Sequence, residues 1–368
     1  MIYDIAIIGA GCSGLSLAFQ IARSNLNLKV LILDQKNSFT KDRTWSFWKT
    51  YPHDFEDCVE KQWLKSVVKD KSVSNQITHK QYPYQTIDSL KFYNKILKEI
   101  RSNSSFEINL SSVVNNISKE QGHFTINTSK GNYLSKKIFD SRNPEIELGK
   151  TYQHFYGLEI ETHEDLFNDE IVDLMDFNCE QKNKVHFFYI LPFNKRRALV
   201  ETTWLSPLTE LNKKQYETEL KEYLKNRFNL NDQFKVLREE IGAIPLFNKK
   251  HNIEENYFYL GLKANIQRMS TGYAFPYIQE HSKEIVRSLE NNQKIPNEVI
   301  SNKYKKLDEV FLKVLKKYPE KMPEIFTNMF DPSMSDSLIR FLSSKGSLYD
   351  DIKVILKMPK MIFIKNTF

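Results

Sequence analysis

Cysteine is scarce in this chain, with Cys12, Cys58 and Cys179 the only three in 368 residues. An odd count at wide spacing suits neither a disulfide framework nor a zinc ribbon, and it fits a reducing compartment. The eight histidines never fall into HxxxH or HExxH spacing, so no metal site is expected. Charge of one sign is nowhere concentrated. Lys and Arg exceed Asp and Glu by 53 to 46, yet basic pairs such as Lys136–Lys137 and Lys316–Lys317 stay isolated. Nucleic-acid binding asks for a denser basic stripe and is not expected. Scattered lysines near apolar segments suit an anionic membrane surface better, with a solvated surface as the default. The longest uncharged stretch, 5–22, is punctuated by glycines and has no basic leader or flanks. It reads as a strand and a buried helix start, so neither a transmembrane helix nor a signal peptide is expected. Internal repeats, low-complexity segments and flexible linkers are also missing.

Aromatic residues, in contrast, are plentiful at 13%. Their large rigid faces serve a core or an apolar ligand pocket equally well. The first recognisable unit is at the start. Ile2 to Ile8 is a β-branched apolar run, followed by Gly9-Ala10-Gly11-Cys12-Ser13-Gly14, then by apolar residues at helical spacing. A second strand, 29–34, ends in Asp34 and is followed by Gln35. This is the order of a dinucleotide-binding βαβ unit. Gly9 permits the tight turn, Gly11 lets a pyrophosphate approach the backbone beside Ala10, and Gly14 lets the helix lie close on the sheet. Asp34 would accept a hydrogen bond from a ribose. The position of the unit, at residue 2, favours FAD over NAD.

Farther along, 86–103 reads as an amphipathic helix capped by Asp88 or Thr86. Four short runs, 106–110, 113–118, 123–128 and 132–139, suggest a small antiparallel meander. Residues 153–206 are strand-like and aromatic, the mark of a second sheet. Residues 211–228 return to helix, 256–290 give strand, turn and helix, and the tail from 303 carries helical apolar patterns. The fold expected is α/β: an FAD-binding, Rossmann-like doubly wound domain (1–56, 85–148 and 252–300) with an inserted antiparallel-sheet substrate domain (57–84 and 149–251) and a helical carboxyl-terminal segment (301–368).

The sequence DRTWSFW (42–48), just past the second strand, resembles a signature of the lycopene cyclases, flavoproteins that close rings on carotenoids. YQHFYGLEI (152–160), VDLMDF (172–177), FFYILPFNKRRALVETTWLSP (187–207), REEIGAIPL (238–246) and MSTGYAF (269–275) are similar to further blocks of that family, in the same order. The best resemblance is to the bacterial lycopene beta-cyclase type. It implies an acid-catalysed, non-redox cyclisation of the psi end groups of lycopene, giving gamma- or beta-carotene. It also implies bound reduced FAD, with NADPH or NADH as reductant. A C40 hydrocarbon substrate implies a cytoplasmic protein held peripherally on the inner face of the cell membrane. The alternatives are a related FAD-dependent isoprenoid reductase or hydroxylase, or a flavin- or carotenoid-binding protein without catalysis.

Residue by residue, Glu201 aligns with the family's catalytic glutamate. On the residues alone it is either a desolvated acid among apolar neighbours or a surface acid paired with Arg196 or Arg197. Thr202 follows it where relatives often carry a second acid, so Glu239 or Glu240 becomes the candidate for that role. Arg43 either reaches the cofactor or pairs with Asp42. Gly261, Thr271 and Gly272 are expected to close the cofactor site. Asn265 stands where glycine is common and can take φ > 0 in its place. Trp45, Trp48, Tyr189 and Trp204 are candidates for the substrate lining, with core packing as the other reading of the first two.

Overall fold

A computed structural model describes residues 1–366 apart from 121, 232, 252 and 253. The expected boundary at 252 and the last two positions of the tail lie outside them. The amino-terminal half runs β1 (Ile2–Ile8), α1 (Cys12–Ala22), β2 (Val30–Leu33), β3 (Thr44–Trp48), β4 (Val59–Trp63), β5 (Lys65–Lys69), β6 (Ser74–Thr78) and β7 (Tyr84–Asp88). It continues through α2 (Ser89–Arg101), β8 (Phe106–Asn109), β9 (Val114–Glu120), β10 (His123–Thr128) and β11 (Gly131–Asp140). The centre holds β12 (Thr151–Thr162), β13 (Ile171–Asp176), β14 (Val185–Pro192), β15 (Arg197–Pro207), α3 (Lys213–Phe228) and β16 (Phe234–Pro245). The end holds β17 (Tyr257–Tyr259), α4 (Phe275–Glu290), α5 (Asn302–Lys317), α6 (Met322–Met329), α7 (Ser335–Leu342), α8 (Leu348–Lys357) and α9 (Lys360–Ile364).

The first sheet has the order β8-β2-β1-β11-β10-β9, with β17 also paired to β11. Its β8, β2, β1, β11 and β17 run parallel. Ile5, Ile7, Val30 and Ile32 pack with α1, α2 and α4 on one face. Their neighbours Ala6, Ile8, Leu31 and Leu33 pack against Phe124 and Ile126 of β10 on the other. Both faces are covered, so these strands read as unbroken apolar runs instead of alternating. One expected meander strand is placed differently: β8 pairs in parallel with β2 after the α2 crossover, and only β9, β10 and β11 form the meander. The run 106–110 follows a helix, and a strand after a crossover returns parallel. Asp88 caps α2 by accepting from the Lys91 N–H at 2.9 Å.

The second sheet has the order β16-β12-β15-β14-β13-β5-β6, and β3, β7 and β4 form a small third one. Strand β4 therefore pairs with β7, on the side away from β3, while β5 and β6, from the same stretch of chain, extend the large sheet. Helix α3 covers one face of the large sheet through Tyr216, Leu220 and Leu224. The opposite face looks into a core completed by α5 to α8.

The tail is joined to the rest by one buried ion pair. Arg268 is 1% exposed and donates through Nε to Asp308 Oδ1 of α5 at 3.1 Å. Its Nη1 donates to the Phe341 carbonyl in α7, and its guanidinium lies between the Tyr304 and Phe341 rings. Ser270 Oγ adds a bond to Asp308 at 2.6 Å. A buried charge left alone is far costlier than a missing pair, so Arg268→Met is expected to lower unfolding stability by about 3–5 kcal/mol. Urea denaturation followed by far-UV circular dichroism measures this, and a loss below 1 kcal/mol would show that the pair does not hold the tail.

Candidate active site

Beneath the tail helices, between the second and third sheets, lies an apolar cavity of about 660 Å³. That is the size range of small-molecule sites. Four strands supply its floor through one cross-strand row. Tyr189 on β14 stands opposite Glu201 on β15, Glu201 opposite Gly157 on β12, and Gly157 opposite Glu240 on β16. Directly opposed residues share a face, and adjacent strands lie about 4.8 Å apart, so the two glutamates stand about 10 Å apart at the backbone with only a glycine between them. A Cβ at Gly157 would come within 3.1 Å of Leu199 and into van der Waals contact with the Glu201 stem.

Period-two alternation sorts the remaining candidates. Along β15, Leu199, Glu201 and Leu205 line the cavity, while Val200, Thr202 and Trp204 face α3. Trp204 is therefore not in the lining: its indole stacks on His186 and donates to Glu219 at 3.0 Å. The same parity separates the two candidate glutamates of β16. Glu240 faces the cavity; Glu239 points outward, where it pairs with Lys213 at 2.7 Å and accepts from the Tyr156 hydroxyl at 2.8 Å. Those two partners hold the Glu239 carboxyl below its ordinary range.

Trp45, Trp48 and Tyr189 do line the cavity. Trp48 is also core, buried edge-on against Tyr84 and Tyr273, while Trp45 stacks on Phe275 at 5.6 Å. The Tyr189 and Tyr84 hydroxyls share a hydrogen bond of 2.8 Å.

Glu201 is 6% exposed and does not pair with either neighbouring arginine, since Arg196 binds Asp165 and Arg197 binds Glu60. Its hydrogen-bond partner is Thr203, whose Oγ1 donates at 2.6 Å. Burial, reinforced by the charge of Glu240, pushes its carboxyl up to about 8. Glu240 is raised by burial as well, but it is held differently. Arg238 Nη1 donates to it at 2.6 Å, and Thr44 Oγ1 donates at 3.2 Å. The same guanidinium donates to Glu159 at 3.1 Å and to Thr44 at 2.7 Å. Of the two carboxyls, Glu201 is thus the one kept protonated and Glu240 the one with a cation to favour ionisation.

The βαβ turn meets the cavity through the later strand-turn-helix. Gly9 has φ +100°, and a Cβ on Gly14 would lie 1.9 Å from the Gly9 carbonyl oxygen, so each position needs glycine. A Cβ on Gly11, in contrast, would meet no protein atom within 4 Å. The amino end of α1 has no side-chain cap and no acidic residue in its first turn. An open backbone before an uncapped helix end fits a pyrophosphate. Asp34 already accepts from the Ala10 and Lys36 N–H groups, and Gln35 beside it is exposed. Gly261, with φ +58°, lies against the start of α1, where a Cβ would come within 2.2 Å of the Ser13 Oγ. Asn265 takes φ +56° as expected of a glycine substitute, and Thr271 and Gly272 reach the cavity wall. Arg43 is exposed and does not pair with Asp42, which takes Lys36 and the Tyr93 hydroxyl; Arg43 donates to the Ile241 carbonyl at 3.3 Å. Among the described residues no cluster of His, Cys, Asp and Glu is arranged to hold a metal.

The family model described as lycopene cyclase protein matches residues 4–366. The chain belongs to the lycopene cyclase family. It is 23% identical to the chloroplastic lycopene beta cyclase of Arabidopsis thaliana over 74% of this chain, spanning 57% of that protein. It is likewise 23% identical to the lycopene beta-cyclase of Pantoea ananas, over 74% of this chain and 71% of that one. Among solved structures, a geranylgeranyl bacteriochlorophyll reductase-like protein of Thermoplasma acidophilum aligns at a TM-score of 0.67 and 11% identity, covering 99% of this chain and 98% of that one. A flavin-dependent brominase aligns at 0.63 and 13%, covering 94% of each. The chain thus shares its fold with these reductase-like and flavin-dependent proteins.

The glycine geometry separates two variants. Gly11→Ala is expected to leave the thermal midpoint within a few degrees while lowering the flavin content of the purified protein. Gly14→Ala collides with backbone and is expected to lower stability by about 3 kcal/mol or more, or to abolish soluble expression. Thermal melts paired with the flavin absorbance of the same samples check both.

Proposed function

We propose that this chain is a lycopene beta-cyclase that closes psi end groups to beta rings by acid catalysis without net redox change. One observation carries the reading: a glutamic acid whose carboxyl is pushed up to about 8 by burial faces an aromatic cavity. A carboxyl that stays protonated at neutral pH is suited to proton delivery, and a weakly basic alkene needs such a donor within an apolar pocket.

In this reading Glu201 gives its proton to the terminal double bond of the acyclic end group, leaving a tertiary carbocation. The electrons of a neighbouring double bond attack that carbon and close a six-membered ring. The ring then loses a proton to the Glu240 carboxylate, which Arg238 and Thr44 hold. Substrate and product have equal mass, and the cycle ends by returning one proton from Glu240 to Glu201. Trp45, Trp48 and Tyr189 line the cavity and would place aromatic π systems near the developing cation. Thr203 fixes the Glu201 carboxyl, and the Tyr84–Tyr189 hydroxyl pair satisfies polar atoms that would otherwise be buried alone.

The cofactor in this reading is FAD, which when bound and reduced supplies negative charge beside the cation. Gly9, Ala10, Gly11 and Gly14 would hold its pyrophosphate, and Asp34 and Gln35 its ribose. Arg43, Gly261, Thr271 and Gly272 would line the approach to it, and the amino end of α4, which has no side-chain cap, would favour a negative charge. NADPH or NADH is the proposed source of its electrons. A bilayer hydrocarbon as substrate places the protein peripherally on the inner face of the cell membrane.

Expression in cells that accumulate lycopene is expected to turn red pigment orange with no change of mass; red cells containing folded, flavin-loaded protein would sink the reading. Glu201→Gln is expected to lower turnover by about 10²–10⁴-fold. The sign of the pH effect follows from the raised carboxyl. Catalysis needs the protonated form, so turnover falls as pH rises through about 8. Because the folded state binds this proton more tightly, its contribution to stability is complete below about 4.5 and is lost through about 8. A rate profile flat from pH 6 to pH 10 would remove Glu201 from the role of acid.

A further inference from the structure

Most exposed large apolar side chains of the described residues are scattered along the chain, but those near its end are concentrated. Leu348, Tyr349, Ile352, Leu356, Met361 and Ile364 all stand exposed on α8 and α9, Leu348 and Tyr349 each at 71%. Helix α8 is apolar on two sides: Val354 is buried in the core, yet a second apolar stripe is exposed. Its two acidic residues are the ones turned inward: Asp350 pairs with Arg340, and Asp351 with Lys303 and the Tyr304 hydroxyl. Its apolar positions at spacing i, i+4 and i+8 face solvent.

The charge around this face has one sign. Between residues 345 and 366 the acidic side chains are Asp350 and Asp351, each 3% exposed, while Lys345, Lys353, Lys357, Lys360 and Lys365 surround the apolar positions. Lys357 pairs with Asp331 and Lys345 with Glu280, but Lys360 and Lys365 meet no acidic partner among the described residues. An exposed apolar stripe bordered by lysines is the composition of a helix that lies in an anionic lipid interface. A sheet of phosphates suits this face better than a protein partner, since both carboxylates of 345–366 are buried and the lysines leave the rim net positive.

The patch also adjoins the cavity. Ile355 of α8, Met358 just after it, and Phe363 and Ile364 of α9 line the cavity that holds Glu201. Ile355 and Ile364 belong to both surfaces, being exposed outside and lining within. We infer that α8 and α9 form the surface by which the protein docks on an anionic bilayer, and that a hydrocarbon passes between these helices from the acyl layer into the cavity. The docking part rests on the patch alone; the passage part rests on the proposed reading of the cavity.

The test uses the full-length, flavin-loaded protein and vesicles of phosphatidylglycerol and phosphatidylcholine, with pure phosphatidylcholine as control. Sedimentation is expected to bring the protein down with the anionic vesicles and far less with the neutral ones. Ile352→Glu combined with Leu356→Glu, both exposed positions outside the cavity lining, is expected to weaken binding about tenfold or more. Lys360→Glu combined with Lys365→Glu is expected to weaken binding to the anionic vesicles alone. Thermal midpoint and flavin content report that each variant is folded. Parent protein that ignores both vesicles, or variants that bind as the parent does, would overturn the inference. So would a parent dimer that the apolar variants dissociate, since the patch would then be covered by a second copy. Conversion of an acyclic carotenoid in detergent micelles separates the two readings. The docking variants are expected to retain it, whereas a parent inactive in micelles overturns the cyclase reading and leaves the vesicle result standing.

Discussion

Glu201 has one hydroxyl as its hydrogen-bond partner in an apolar cavity, and a carboxylate cannot remain ionised there at low cost. The surrounding structure follows from keeping it so. Glycine at position 157 leaves the row between Glu201 and Glu240 clear, so the charge of the second glutamate is felt by the first across a strand that contributes no side chain. Arg238, two residues along β16, gives its hydrogen bonds to Glu240, Glu159 and Thr44; a cation bonded directly to Glu201 would favour its ionisation. The strand β3, which DRTWSFW forms, supplies both Thr44 for that network and Trp45 and Trp48 for the wall. The dinucleotide-binding turn and the aromatic run that follows it in the sequence are thus two sides of one site.

Much of this was legible in the chain, for identifiable reasons. The βαβ unit announces itself because its glycines fall in order between two apolar strands, Gly9 and Gly14 meeting steric demands of the chain and Gly11 leaving open space for a ligand. Glu201 was legible as a desolvation candidate because its neighbours on β15 are apolar. Parity on β15 and β16 was available too. Residues 201 and 204 differ by an odd number, as do 239 and 240, so Trp204 could not share a face with Glu201, nor Glu239 with Glu240. What parity could not say is which face was the cavity, since that depends on where α3 and the tail helices pack.

The rest depends on contacts between distant parts of the chain. Nothing local marks Gly157 as the spacer between two acids; that role exists only once β12 lies between β15 and β16. Arg268 likewise follows a turn that looked relevant to a cofactor alone, yet its guanidinium is committed to Asp308, forty positions later. The strand 106–110 looked like part of a meander because strand periodicity does not encode partner or direction. Its pairing with β2 follows from the crossover rule applied to α2, a constraint of topology and not of composition.

The tail joins these levels. Its helices cover the cavity from one side and leave an apolar face on the other, and an enzyme confined to water-soluble substrates would gain nothing from that exposure. Asp350 and Asp351 explain how the arrangement is stable: each acid finds an inward cation, so α8 can be held by ion pairs on its inner side while keeping its apolar stripe outside. Val354 packs into the core beside these ion pairs, so the leucines and isoleucines of the outer stripe remain available to another apolar phase. The buried Arg268–Asp308 pair secures the same group of helices to the turn at 270–273. The cavity wall, the turn beside the proposed flavin and the lipid-facing helices are therefore mechanically continuous, and on the proposed reading the substrate meets them in the reverse of that order.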